Sequence, residues 1–216
     1  MQQRQLFSSR TQGGFTLVEI SVVLVIIGLL LGGVLKGGEI IENTKVKSVY
    51  NSYRELMAAV TSHQDRYGAL PGDDGQATTR GFSNTPVAVV NGTGDGYIDG
   101  GTRYCTATSG GENCQALYQM RQAGFISGAG VVAPTHAFGS GIAVVRSCGA
   151  GAGFACAVLN RPVTVCFQFL TNKVARQLDA KFDDNVFNTG SIRSNGGNYV
   201  TGPSDSVSAE STCVIG

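Results

Sequence analysis

Residues Phe15 to Leu35 read FTLVEISVVLVIIGLLLGGVL, an apolar run broken by a single charge, Glu19. As an α-helix of about 21 residues at 1.5 Å per residue it spans about 31 Å, the thickness of a bilayer's hydrocarbon core. The run therefore predicts a membrane-crossing helix. The residues ahead of it, MQQRQLFSSRTQGG, hold Arg4 and Arg10 and no acid. Basic flanks stay in the cytoplasm, so the N-terminus is expected inside and the chain after residue 35 outside. A secretory signal would carry a small-residue cleavage site behind its apolar stretch. Here Lys36, Gly37, Gly38 and Glu39 follow, and the paired glycines Gly13 and Gly14 lie in front. A cut after Gly14, at the cytoplasmic face, would leave the apolar helix on the mature chain.

Glu19 is the costly residue. A carboxylate at the centre of a membrane helix costs about 2.5–3.5 kcal/mol, less near the interface, and such acids usually have a partner. A cut after Gly14 would give Phe15 a free amino group about one helical turn from Glu19, or within reach of Glu19 in a neighbouring subunit. The alternative is an acid that snorkels to the headgroups.

The string Gly14-Phe15-Thr16-Leu17-Val18-Glu19 resembles the processing and methylation motif of type IV prepilins and type II secretion pseudopilins. The resemblance implies cleavage between Gly14 and Phe15 by a prepilin peptidase and N-methylation of Phe15. It also implies a role for Glu19 in assembly, paired with a neighbour's amino terminus. The implied partners are identical or related pilin subunits, the peptidase, an inner-membrane assembly platform, and the inner membrane itself before assembly. The implied location is the inner membrane, single-pass with the N-terminus cytoplasmic, then an extracellular pilus or a periplasmic pseudopilus.

The helix is expected to continue. From Ile40 to Tyr67 there is no Pro or Gly, and Val46, Val49, Tyr53, Leu56, Val60 and Tyr67 recur at three- and four-residue steps. Gly68 and Pro71 stop it. Gly37-Gly38 could break it into a membrane helix and a separate soluble helix. Beyond it, Val87–Val90 reads as a short β-like run and Cys114–Phe125 as a short helix. Strand-like runs follow at Gly141–Arg146, Phe154–Leu159 and Pro162–Leu170, and Phe167–Phe182 reads as a late helix. Residues 1–14 thus read as a leader peptide, 15–67 as a spine helix with 15–35 in the membrane or filament core, and 68–216 as a head. The fold class is α+β: a long N-terminal helix, apolar in its first half, packed on a glycine-rich, disulfide-stapled globular head with an antiparallel sheet.

The staples are read from six cysteines, Cys105, Cys114, Cys148, Cys156, Cys166 and Cys213. None forms a CxxC pair or sits at zinc spacing from a histidine. In an exported chain an even count reads as disulfides; the alternative is six reduced core thiols. Fifteen pairings exist. Sequence neighbours are favoured: Cys105 with Cys114, Cys148 with Cys156, Cys166 with Cys213.

NGTGDGYID, Asn91 to Asp99, matches the first part of an EF-hand loop. Asn91, Thr93, Asp95 and Asp99 would supply oxygens to Ca²⁺, with Gly96 at the turn and Asp73 or Asp74 folding over, although Thr102 stands where the bidentate Glu belongs. The alternative is a glycine-rich turn capped by Asx side chains. No catalytic residues are expected: the two histidines, His63 and His136, sit in no hydrolase, phosphate-loop or dinucleotide motif, and His63 reads as solvated. A formal charge of +1 gives no reason to expect nucleic acid.

Three functions remain. The first is a structural subunit of a type IV pilus, major or minor. The second is a type II secretion pseudopilin. The third is a monomeric membrane-anchored protein that binds calcium or another ligand. RYGALPGDD, QMRQAGFISG and LDAKFDDN resemble glycine- and cysteine-rich pilin-like proteins of Gram-negative bacteria. The head lacks the acidic C-terminal loop of major secretion pseudopilins, which favours the pilus; adhesion is among the roles open to such a fibre.

Overall fold

The computed structural model describes residues 14–83, 87–100, 105, 111–145, 161–194 and 207–215. They fall into two compact units, Met1–Asn43 and Thr44–Gly216. Helix α1, Leu17–Tyr67, passes from the first into the second. It is not interrupted at Gly37-Gly38. A glycine costs a helix about 1 kcal/mol, but strong helix formers flank the pair, and the Lys36–Glu39 ion pair, 2.8 Å, bridges it at i,i+3 spacing. In the first unit the apolar side chains are exposed, from Phe15 and Leu17 through Leu24 and Leu29 to Leu35.

In the second unit α1 is amphipathic and buries Val46, Val49, Leu56, Ala59, Val60 and His63. Tyr53 and Tyr67 of the expected stripe are half-buried, and His63, expected in solvent, lies in the core instead. The helix ends at Gly68, whose φ of +71° suits a residue without Cβ and whose N–H closes on Gln64 O at 2.8 Å.

Four strands form one antiparallel sheet: β1 Ile142–Val145, β2 Thr164–Thr171, β3 Ile192–Ser194 and β4 Val207–Ile215, in the order β1-β2-β4-β3. Register sets Ile142 opposite Phe167, Val144 opposite Val165, and Val214 opposite both Val165 and Ile192. These side chains share one buried face. The alternate residues Ala143, Thr164, Cys166, Gln168 and Cys213 are buried too, so both faces are covered. Helix α2, Glu112–Gln122, adds Leu117, Tyr118 and Met120 to the core, and α3, Asn172–Phe182, adds Val174 and Leu178. The Tyr50 and Phe182 rings stack at 3.9 Å.

Several elements differ from their sequence reading. The late helix begins at Asn172, not Phe167, because Phe167–Thr171 completes β2 and the Thr171 hydroxyl caps α3 by accepting Val174 N–H at 3.3 Å. The β-like run Val87–Val90 alternates buried Val87 and Val89 with exposed neighbours but joins no strand. A side chain pairs with it: Gln115 donates to Ala88 O at 2.9 Å and accepts Val90 N–H at 3.4 Å. Strands β3 and β4 lie in the Gly-, Asn- and Ser-rich C-terminal stretch where none was expected. The strand expected at 154–159, with Cys148 and Cys156, lies outside the described residues.

Among the described residues two disulfides staple the head, Cys105–Cys114 and Cys166–Cys213; the second links directly opposed residues of β2 and β4. Its sequence separation of 47 makes it the more stabilising by loop closure, about 4 kcal/mol. Replacing Cys166 and Cys213 together with Ala should lower the urea midpoint by that equivalent. A midpoint unchanged from the parent would mean that sheet pairing alone holds the C-terminal strand.

Candidate functional site

The residues singled out at the N-terminus meet at the first turn of α1. Thr16 is the last residue before the helix, and its hydroxyl accepts Glu19 N–H at 3.3 Å. In return the Glu19 carboxylate accepts the Thr16 backbone N–H at 2.8 Å and the Thr16 hydroxyl at 2.9 Å. This reciprocal arrangement is a capping box, and it satisfies two donors that a helix start otherwise leaves open. The sequence reading gave Thr16 no such role, although a Thr three residues before a Glu, at the head of an apolar run, is its signature. Glu19 thus gains hydrogen bonds and the favourable end of the helix dipole, which lowers the cost of a carboxylate in an apolar segment. Phe15 is exposed, one residue before the box.

The loop expected to bind calcium wraps a carboxylate of the chain. Its centre is the buried carboxylate of Asp73. Gly94 and Asp95 donate backbone N–H groups to Oδ1 at 2.6 and 3.1 Å, Thr93 adds its hydroxyl at 3.1 Å, and Gly96 N–H reaches Oδ2 at 2.7 Å. Converging N–H groups make a nest that suits an anion and repels a cation. Asn91 Oδ1 accepts Thr78 N–H, Asp95 Oδ1 accepts Tyr97 N–H, and Glu112 accepts the N–H groups of Thr93 and Asp99. Of the four residues expected to hold calcium, Thr93 and Asp95 thus contact the Asp73 carboxylate, while Asn91 binds Thr78 and Asp99 binds Glu112. Among the described residues, Asp179, Asp183 and Asp184 place carboxylate oxygens within 4.8 Å of one another. Each caps local backbone: Asp179 accepts Asn185 N–H, Asp183 accepts Ile192 N–H, and Asp184 accepts Val186 N–H.

Next to the nest, Gly72 donates to Gln119 Oε1 at 2.7 Å, and its φ of +85° together with a close approach to the Glu112 carbonyl excludes a Cβ. Asp74 pairs with Arg80, at 2.9 Å to Nε, and Arg80 also donates to Tyr67 O at the end of α1. Burial pushes the Asp74 carboxyl up, but Arg80 and the Gln76 N–H outweigh it, and its pKa lies below the ordinary carboxylate value. His136 is buried between Phe138 and Phe167; its Nε2 meets Gln168 O at 2.9 Å and its Nδ1 accepts Phe138 N–H. Burial holds its pKa below the usual histidine value against that carbonyl.

Asp73→Asn removes the charge from four convergent donors. Hydrogen bonds to charged groups contribute about 1.5–3 kcal/mol, so a stability loss of about 2–3 kcal/mol is expected in urea unfolding. A loss below about 0.5 kcal/mol would mean that the nest does not hold the loop.

The prokaryotic N-terminal methylation motif matches residues 9–35. No curated protein and no solved structure matches the chain. The matched residues include Gly14, Phe15 and the Thr16–Glu19 box, and they end with the exposed apolar part of α1. A prokaryotic N-terminal methylation motif implies processing by a prepilin peptidase and assembly into pilin polymers, and with the long apolar helix behind it the chain fits a type IV pilin or pseudopilin precursor.

Proposed function

We propose that this chain is the precursor of a type IV pilus subunit, major or minor, which enters the inner membrane through Phe15–Leu35, is cut after Gly14, and polymerises through α1. The observation that carries the reading is the capped acid, Glu19, in the first turn of an exposed apolar helix inside the methylation motif. A free Phe15 amino group would stand next to Thr16, whose own N–H already bonds the Glu19 carboxylate. In a dry bundle of helices the amino group of a neighbouring copy supplies the positive charge that the box lacks. The disulfides agree with a head exported to an oxidising compartment.

The test is the mass of the mature protein. A chain beginning at Phe15, with one added methyl on its amino group, is expected. An intact Met1, or a cut near residue 38, would contradict the reading and favour a monomeric anchored protein or a secretory signal. Shearing the cells should release the mature chain as surface filaments; confinement to the periplasm would move the assignment to a secretion pseudopilin.

A further inference from the structure

His63 lies in the last turns of α1 with its side chain fully buried. Its Nδ1 faces Ala69 O at 3.1 Å, across the turn at Gly68. A carbonyl accepts only, so Nδ1 carries the proton and Nε2 presents a bare lone pair. Nε2 is buried and meets no hydrogen-bond partner. The rings of Tyr67, Phe82 and Phe125 surround it, with centroids at 4.6, 6.3 and 6.4 Å. The imidazole thus ties three segments together: the end of α1, the 69–82 stretch, and the loop that follows α2.

A second proton would have to go on Nε2, where nothing accepts it. Burial favours the neutral ring; Ala69 O and the Asp74 carboxylate favour the charged one, and the Arg80 guanidinium opposes it. Asp74 and Arg80, which act on the ring in opposite senses, are paired with each other. Of the other charges nearby, Arg66 is over the Tyr67 ring and donates to Ala123 O, Asp65 beside it is exposed, and Arg121 of α2 donates to Ser127 O and Gly130 O. A cation against aromatic faces gains something, but less than it loses when its N–H has no acceptor.

Two grooves flank this part of α1, one of about 550 Å³ lined by Ala59, Ser62 and Phe125, the other of about 470 Å³ lined by Val60, Gln64 and Ala69. Phe125 borders the first groove and Ala69 the second, so displacing either would open the ring toward one of them. We propose that His63 is an acid-operated latch: a proton on Nε2 releases the 69–82 stretch and the loop after α2 from the end of α1, while the sheet and its disulfide stay closed. The sign follows from linkage. A ring kept neutral by the fold contributes stability that is complete above the unfolded histidine value, about 6.5, and is lost as pH falls below it.

Hydrogen exchange on the full chain in detergent, resolved by peptide at pH 7.5 and 5.5 and corrected for intrinsic rates, tests this. Amides of residues 69–82 and 119–127 should exchange at least tenfold faster at pH 5.5, while β2 and β4 keep their protection. His63→Asn, which can still donate to Ala69 O but does not titrate, should show no such change, and His136→Gln should keep it. A wild-type ratio within twofold, or an unchanged response in His63→Asn, would overturn the latch. Should His63→Asn not fold, the wild-type ring decides by NMR: it must take up its proton over the same pH interval in which exchange rises, and uptake without faster exchange would overturn the proposal.

Discussion

The first half of α1 presents an apolar surface all round. Fifteen apolar side chains between Phe15 and Leu35 lie exposed in the described structure, and burying each is worth about 1.5–3 kcal/mol. That surface has to be taken up by lipid or by other copies. The continuation of α1 to Tyr67 answers to the same constraint, since the element that carries the apolar surface also supplies the hydrophobic stripe on which the head is built. Moving such a helix from lipid into a bundle of its own kind exchanges one apolar surrounding for another, with little net gain. Polar terms then decide the outcome, and the polar group available in the segment's first turn is Glu19.

The head solves a different problem, holding glycine-rich loops in place with few charges. It does so with buried polar side chains that bond to backbone. Asp73 gathers the 93–96 loop, Gln115 stands in for a strand along Ala88–Val90, and Gln119 fixes Gly72. Arg121 holds the carbonyls of Ser127 and Gly130, and Arg80 closes the end of α1. Each charged member is spent on local structure. The loop that most resembles a cation site therefore presents N–H groups to its centre.

The sequence made the helical parts legible and hid most of the sheet. Period, length and caps mark α1 and α2 to within a few residues, because helix signals are local. Strand β4 reads VSAESTCVI, and its polar residues conceal a strand whose pairing depends on β2 more than forty residues earlier. The start of α3 was obscured because Phe167–Leu170 is apolar enough to serve either a helix or a strand, and the Thr171 cap settles it. His63 reads as solvated beside Gln64 and Asp65, yet it lies on the same face as Leu56 and Val60. At the N-terminus the motif was plain, but the part played by Thr16 emerges only with the geometry. For the head loops no sequence signal marks Asp73 as the centre, since its partners are backbone groups some twenty residues away.

The central claim is that Glu19, by pairing between copies, decides whether the apolar helix leaves the membrane for a filament. The direct measurement is the yield of sheared filaments from Glu19→Ala cells, with the mass of the subunit retained in the membrane as the control for processing. The account predicts a subunit that is inserted and cut to begin at Phe15 but recovered in filaments at a small fraction of the parental yield, with Glu19→Asp in between. Filaments of Glu19→Ala at parental yield would contradict it.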